Sequence, residues 1–581
     1  MTSDQAGRRA ENLDDAAETA ASLDLLLSDA ALGMLRRFRP DSSLLRFGWN
    51  LARQPGRVAR RAGRFATDLG SIAAGRSSIA PSPRDRRFAD EAWTGNPLLR
   101  RIVQGYVAGG AFAEALLADA GLDWRDTERS GFLLRNIVDA LAPSNNPLLS
   151  PLAWKALIDT GGLSAVRGLR ALASDLATSP RIPAMVAPDA FEVGRDLAVS
   201  PGAVVRRTEI CELIQYEPVT SQVHRFPLVI VPPMINKFYV TDLAPGRSMV
   251  EYLVSQGHQV FAISWRNPDA RHRDWDLNAY GRAMAESLDA ARTICGAEKA
   301  SICSLCSGGI LSSMVAAHLA ATGQQDQIAS LYLGVTVLDQ ATDGTGAGTA
   351  AALADDRTAA LAVAASRARG YLDGRTLAEV FAWLRPNDLI WNYWVNNYLQ
   401  GKTPPPFDIL YWNADTTRMP AALHRDFIDI AMNRALAKPD AAAMLGSPVD
   451  LSRVTVDAYV VAGIADHLCP WQSCYRSTQL LGGDVRFVLS TSGHIASMIN
   501  PPDNPKARFQ VAPGGDAAGA RHPAGPRDWL RAAQTVSGSW WPDYSAWLAE
   551  RSGGQRDRRG RLGRKEFQPM EPAPGLYVLD R

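Results

Sequence analysis

Three residues far apart in this sequence, Cys306, Asp466 and His494, are of types that do chemistry, and each follows a short apolar run of the kind that forms a buried strand. Lys299-Ala-Ser-Ile-Cys-Ser-Leu305 runs into Cys306 and turns at once through Ser307-Gly308-Gly309. Beyond the turn Ile310, Met314, Val315 and His318 recur at helical spacing. Strand, sharp turn and helix with a thiol at the turn is the geometry of a nucleophile elbow, in which small neighbours let the strand reverse and leave backbone N–H groups facing the reaction centre. Serine at 304 stands where the G-x-S-x-G pattern has its first glycine. Two other readings of the stretch stay open: Cys306 as a buried packing residue, and Cys303-x-x-Cys306 as a redox or metal-binding pair.

The elements around these residues give them a common setting. Strand patterns begin near Val204 and alternate with helical ones, the signature of a parallel sheet with crossover helices. Phe226-Pro-Leu-Val-Ile-Val231 is a fully apolar strand ending in the loop Pro232–Tyr239, where a backbone N–H near Ile235 is the candidate second oxyanion donor beside that of Ser307. Val456–Gly463 delivers Asp466 and His467, and Val485–Ser490 delivers Ser492-Gly493-His494. Nucleophile, acid, histidine is the chain order expected on an α/β-hydrolase sheet. His467 is a rival base, but it sits beside the acid rather than on its own loop and reads as a supporting neighbour. Cys469 and Cys474 read as buried.

About a hundred residues interrupt the sheet pattern after Leu338, and an insertion there reads as a cap over the site. Its aromatic run includes Trp383, Trp391, Tyr393 and Trp394, which suit a water-excluding cover, a dimer surface or plain core. The expected organisation is therefore a flexible, basic amphipathic segment at 1–84, a helical domain at 85–200, the catalytic domain at 201–548 with its cap at about 340–440, and a basic tail at 549–581. In the first of these Leu44, Phe47 and Leu51 share a helical face among many arginines, a pattern fitted either to an apolar or anionic surface or to packing on its own domain.

Composition narrows the setting. The chain has 581 residues, 46% of them apolar, and a net charge of +2, so nothing in the balance calls for nucleic acid. Six cysteines in such a length suit a reducing interior, and neither a secretory leader nor a membrane-spanning run is evident, so a cytoplasmic place is expected.

Taken with their order, these stretches resemble the polyhydroxyalkanoate synthases, and most of all the class II branch that favours medium-length side chains. The resemblance is carried by Arg86–Asp90, Phe191–Gly194, Leu213–Tyr216, Pro232–Tyr239, Ser264–Pro268, Cys306–Gly309, Pro386–Trp394, Asp408–Asn413, Asp466-His467, Ser492–Ile495 and Ser537–Trp541, covering nearly everything after residue 85. It departs from the family at Ser304 and in the Gly-, Ala- and Thr-rich stretch 343–352. The resemblance implies a Cys306, Asp466, His494 triad that polymerises (R)-3-hydroxyacyl-CoA with release of CoA. It also implies a nascent polyester chain held by the enzyme, a homodimer, a place at the surface of polyester granules beside other granule proteins, and no metal or cofactor beyond the CoA thioester that is the substrate. An esterase, thioesterase or depolymerase with the same triad is the nearest alternative; a non-catalytic granule-surface protein is another.

Overall fold

The structure is a computed structural model, and it describes residues 30, 42–83, 85–339, 356–466, 468–512 and 522–581. The longer helices that come first are α1 (Ser42–Ala52), α2 (Pro55–Ala73), α3 (Pro97–Asp119), α4 (Trp124–Ala140), α5 (Pro151–Asp159) and α6 (Leu163–Ala177). Proline at the first position of α2, α3 and α5 fixes each start, since its missing N–H would have no partner there.

Helices α1 and α2, expected to be flexible, are docked instead. Ser43 and Arg46 bond Asp126 of α4, Arg61 pairs with Asp119 at the end of α3 at 2.7 Å, and Phe65 stacks on Phe112 at 4.8 Å. Asp126 is 3% exposed, so a buried carboxylate needs the basic segment as its counter-charge. The remainder of the 1–41 stretch lies outside the described residues except for Ala30, which is buried.

The body is a ten-stranded mixed sheet. Its strands are β1 (Gly202–Arg207), β2 (Cys211–Tyr216), β4 (Leu228–Val231), β5 (Val260–Trp265), β6 (Ala300–Leu305), β7 (Ile328–Gly334), β8 (Ala458–Gly463), β9 (Val485–Ser490), β10 (Arg508–Val511) and β11 (Gln534–Ser537); the short β3 (Gln222–His224) lies apart. They stand in the order β1-β2-β5-β4-β6-β7-β8-β9-β10-β11, parallel from β5 to β9 and antiparallel at both flanks. Strands buried on both faces read as continuous apolar runs, which is why β4, β6 and β8 were visible as such. From β4 the chain passes outward on one side to β5 and on the other to β6, so the carboxyl ends of β4 and β6 flank a topological switch point. Helices α7 (Met249–Ser255), α8 (Leu277–Cys295) and α9 (Ser307–Ala321) cross over between these strands.

Between β7 and β8 lie α10 (Asp356–Arg369), α11 (Gly374–Leu384), two π-helical turns at Asn387–Trp391 and Trp394–Leu399, α12 (Asp408–Ala414) and α13 (Ala421–Asn433). Arg434, just past α13, and Arg476 both pair with the buried Asp339 in the segment that follows β7, tying the far end of this insertion back to its start. Stretch 343–352 lies outside the described residues. Helices α14 (His494–Met498) and α15 (Trp541–Glu550) and strand β12 (Gln555–Asp557) lie in the last part of the chain. Among the described residues no helix is long and apolar enough to cross a membrane.

The stretch 549–581, expected to be a solvated tail, is part of the body. Strand β12 pairs with β3, Val204 and Glu571 exchange backbone bonds with their neighbours across the β1 edge, and Arg207 holds both Glu212 and Glu571. The arginines have a specific destination: Arg556 and Arg559 donate to the carbonyls of Cys295 and Ile294, which end α8 and have no partner of their own in the helix.

Candidate active site

At the end of β6 the chain takes the sharpest turn of the sheet. Cys306 has φ 51° and ψ −121°, a region costly for any residue with a Cβ, and α9 starts at the next position. Its N–H is held by Gly334 O at 2.8 Å and its carbonyl by Thr336 Oγ1 at 3.3 Å, so β7 carries the strain. The two glycines that follow are required by contact. A Cβ on Gly308 would lie 2.4 Å from Val231 O, and one on Gly309 2.0 Å from Thr336 Oγ1. Ser304 fits where a glycine was expected because its hydroxyl donates to Tyr332 O at 2.7 Å on β7.

The loops after β8 and β9 meet this turn. Asp466 Oδ1 accepts from the amides of Leu468 and Cys469 at 2.8 and 2.9 Å, which leaves Oδ2 to bond His494 Nδ1 at 2.7 Å. His494 Nε2 is then the ring atom left for sulfur. Cys306 Sγ, Cys469 Sγ and a His494 ring nitrogen all lie within 4.8 Å of one another. Cys306 is 4% exposed.

The electrostatics follow. Hydrogen bonding from the Cys469 thiol is the largest influence on Cys306; against the upward push of burial, and with His494 and the Ser307 N–H helping, it brings the thiol down to about 6. Burial alone would lower the His494 imidazole, but the Asp466 carboxylate and the Cys306 sulfur outweigh it and raise the ring to about 10. A thiolate and an imidazolium therefore share the site near neutral pH. Cys469, donating to that thiolate and buried, is held well above the usual thiol range.

Some expected residues lie elsewhere. Cys303 does not join Cys306: three positions earlier on β6 it faces the opposite side, where its thiol meets the Tyr544 hydroxyl, so the C-x-x-C pair is not formed. Trp391 and Trp394 pack among Ile182, Met185, Tyr393 and Tyr398, and Trp394 Nε1 donates to Asn145 O, so they join the insertion to the N-terminal helices. His467 lies outside the described residues. Cys469, read as packing only, is the neighbour that sequence reasoning missed; its place three residues after Asp466, within the turn that the Asp466 carboxylate itself caps, was the available signal.

The loop Pro232–Tyr239 lies against the turn: the Met234 N–H donates to Ser307 Oγ at 3.3 Å. Ile235 is buried, its carbonyl accepting from Thr417 N, while Trp412 Nε1 donates to Lys237 O and Tyr239 OH to Asp415. Lys237 reaches the other way and donates to the carbonyls of Tyr577, Val578 and Asp580.

Comparison with known proteins agrees with this architecture. Residues 84–253 match the family described as poly-beta-hydroxybutyrate polymerase (PhaC) N-terminus, and residues 228–501 match the alpha/beta hydrolase fold. Poly(3-hydroxyalkanoate) polymerase 2 of Ectopseudomonas oleovorans is 47% identical over 87% of this chain and 88% of its own length. The poly(3-hydroxyalkanoate) polymerase subunit PhaC of Cupriavidus necator is 40% identical over 85% of this chain and 83% of its own. Among solved structures, a thioesterase domain from the curacin biosynthetic pathway covers 51% of this chain and 94% of its own at 12% identity and a TM-score of 0.30. With such identity over most of its length, the chain belongs to the poly(3-hydroxyalkanoate) polymerase family.

Proposed function

We propose that this protein polymerises (R)-3-hydroxyacyl-CoA through an acyl-enzyme on Cys306, with His494 as base and Asp466 as its orienting acid. The observation that carries the reading is the buried Cys306–His494–Asp466 line at the carboxyl edge of the sheet, with His494 Nδ1 at 2.7 Å from the carboxylate. The thiolate attacks the thioester carbonyl, and the N–H groups of Ser307 and of the loop near Ile235 receive the oxyanion. The carbon–sulfur bond to CoA breaks, and the leaving thiolate takes the proton from His494 Nε2. The 3-hydroxyl of the next unit then attacks the Cys306 thioester, giving its proton to His494 and returning Cys306 as thiolate. Thioester-to-thiol exchange is nearly thermoneutral, and the cycle draws on no cofactor beyond the CoA thioester. Relatives named polymerases over most of the chain favour this over hydrolysis.

Attachment to the polymer would use the N-terminal helices, where Leu44, Phe47 and Leu51 are half-buried and other apolar side chains are more exposed. Leu163, Val166, Leu169 and Leu176 form one stripe on α6, and Leu148 and Ile158 beside it are 73% and 74% exposed. Exposed apolar side chains of this kind suit the surface of a polyester granule, where a homodimeric enzyme would sit in the cytoplasm.

The test is Cys306→Ala with Cys303→Ala as its partner. The first should lose CoA release and polymer while keeping its thermal unfolding profile; the second should keep both activities. Turnover surviving in Cys306→Ala, or lost only in Cys303→Ala, would refute the assignment. Free acid released in equal amount to CoA, with no polymer, would show a hydrolase.

A further inference from the structure

We infer that Cys306, Cys469 and His494 form a binding site for one thiophilic divalent cation such as Zn²⁺, and that its occupancy shuts the active site. Two sulfurs and one imidazole nitrogen, all within 4.8 Å of one another, are the donor set of a Cys₂His site with a fourth position open. Tetrahedral coordination places such donors about 3.5–3.8 Å apart, so the site closes on an ion by movement of side chains alone.

The shell behind the donors is already built. Asp466 bonds His494 Nδ1 and so directs the other ring nitrogen at the sulfurs, the arrangement that fixes metal-binding histidines elsewhere. Asp466 is itself immobilised by the amides of Leu468 and Cys469, and this turn sets Cys469 beside the nucleophile. Soft donors of this kind select Zn²⁺, Cd²⁺ or Co²⁺ over Mg²⁺ and Ca²⁺. Binding occupies the Cys306 sulfur and the His494 ring nitrogen and so takes nucleophile and base together. The cation is an inhibitor of this site, competing with acylation, and has no part in the reaction.

The experiment uses the reduced full-length protein. Co²⁺ should bind one per chain with near-ultraviolet thiolate-to-cobalt charge transfer and the intense visible bands of a tetrahedral ion, and Zn²⁺ should displace it. Zn²⁺ should stop CoA release in proportion to occupancy, a chelator should restore it, and Mg²⁺ should do neither. Cys469→Ser should weaken Co²⁺ binding by more than the about 10- to 100-fold that loss of a group behind a ligand costs, and reduce the charge-transfer band, whereas Cys303→Ala should bind as the parent does. In the unmutated protein, bound Zn²⁺ should shield Cys306 and Cys469 from iodoacetamide, read by peptide mass spectrometry; this measurement stands even where a variant misfolds. Unchanged binding in Cys469→Ser, an octahedral cobalt spectrum, or alkylation of Cys306 and Cys469 unaffected by Zn²⁺ would overturn the inference.

Discussion

Replacing Asp466 by Asn separates the two halves of the proposed cycle, and the geometry says how. The amides of Leu468 and Cys469 both donate to Oδ1, so an asparagine keeps its oxygen there and turns its NH₂ toward His494 Nδ1. The ring must then accept at Nδ1 and carry its proton on Nε2, the wrong tautomer for taking a proton from sulfur. Without the imidazolium, Cys306 rises from about 6 but stays below the ordinary thiol value of 9.0, because the Cys469 hydrogen bond still holds it down. At a pKa of 9.0 the thiolate fraction at pH 7.5 would be about 3%, against nearly all in the parent, so the loss in acylation is at most roughly 30-fold. Elongation depends more heavily on the base, because an alcohol ionises little by itself, and removal of the orienting carboxylate in hydroxyl chemistry costs about 10⁴-fold. The variant should release CoA in a burst stoichiometric with enzyme, hold an acyl group on Cys306, and stall with little polymer. Rapid-quench CoA measurement and intact-protein mass spectrometry after one addition of substrate would show both. A variant that never acylates would place Asp466 in the first step as well, and one that polymerises at the parent rate would refute the assignment.

Gly309→Ala, whose Cβ would meet Thr336 Oγ1 at 2.0 Å, should displace the turn and lower CoA release by about 100-fold while the protein still folds; full activity would show that the contact is relieved cheaply. Burial, together with His224 stacked at 4.5 Å, pushes His258 down to about 3, so its contribution to stability is complete above about pH 6.5 and is lost as pH falls toward 3. At pH 5 the loss amounts to about 2 kcal/mol, so His258→Gln should flatten the acid side of a melting-temperature profile, and an unchanged slope would exclude this histidine as the cause. Ile158→Ser combined with Leu169→Ser should weaken co-sedimentation with polyester granules without altering the melting temperature, whereas co-sedimentation unaffected by the pair would remove α6 from the polymer contact.

What could be read from the sequence was what local chemistry dictates. Strands buried on both faces announce themselves as apolar runs, and a turn as tight as Cys306-Ser307-Gly308-Gly309 needs small residues whatever surrounds it, so the α/β-hydrolase order was legible. The positions of Asp466 and His494 just past strand ends followed from the same patterns. Features set by distant neighbours were not legible. An arginine run reads as solvated unless the bare carbonyls ending α8 are known to lie beside it. Trp391 and Trp394 fitted a cover, a dimer surface or core alike, and Asn145 and Met185 supply their neighbours from over two hundred residues earlier. Leu44, Phe47 and Leu51 fitted a foreign surface or their own protein equally well, until the buried Asp126 required Arg46. Cys469 lay between these cases, since only the turn around Asp466 brings it to the nucleophile.

The bonds from Lys237 to residues 577–580 bear on when this protein can work during its own synthesis. The loop beside the nucleophile is made early, yet the carbonyls that satisfy its buried ammonium lie some 340 residues later, among the longest sequence separations in the fold. Contacts so distant close late, because the loop-closure entropy must be met before they stabilise anything. A ribosome-bound chain that has not yet exposed residue 580 therefore carries the turn at Cys306 while the loop Pro232–Tyr239 still lacks these bonds. On the proposed mechanism, stalled nascent chains ending before residue 577 should therefore be acylated by substrate far more slowly than those extended past 581 by a linker.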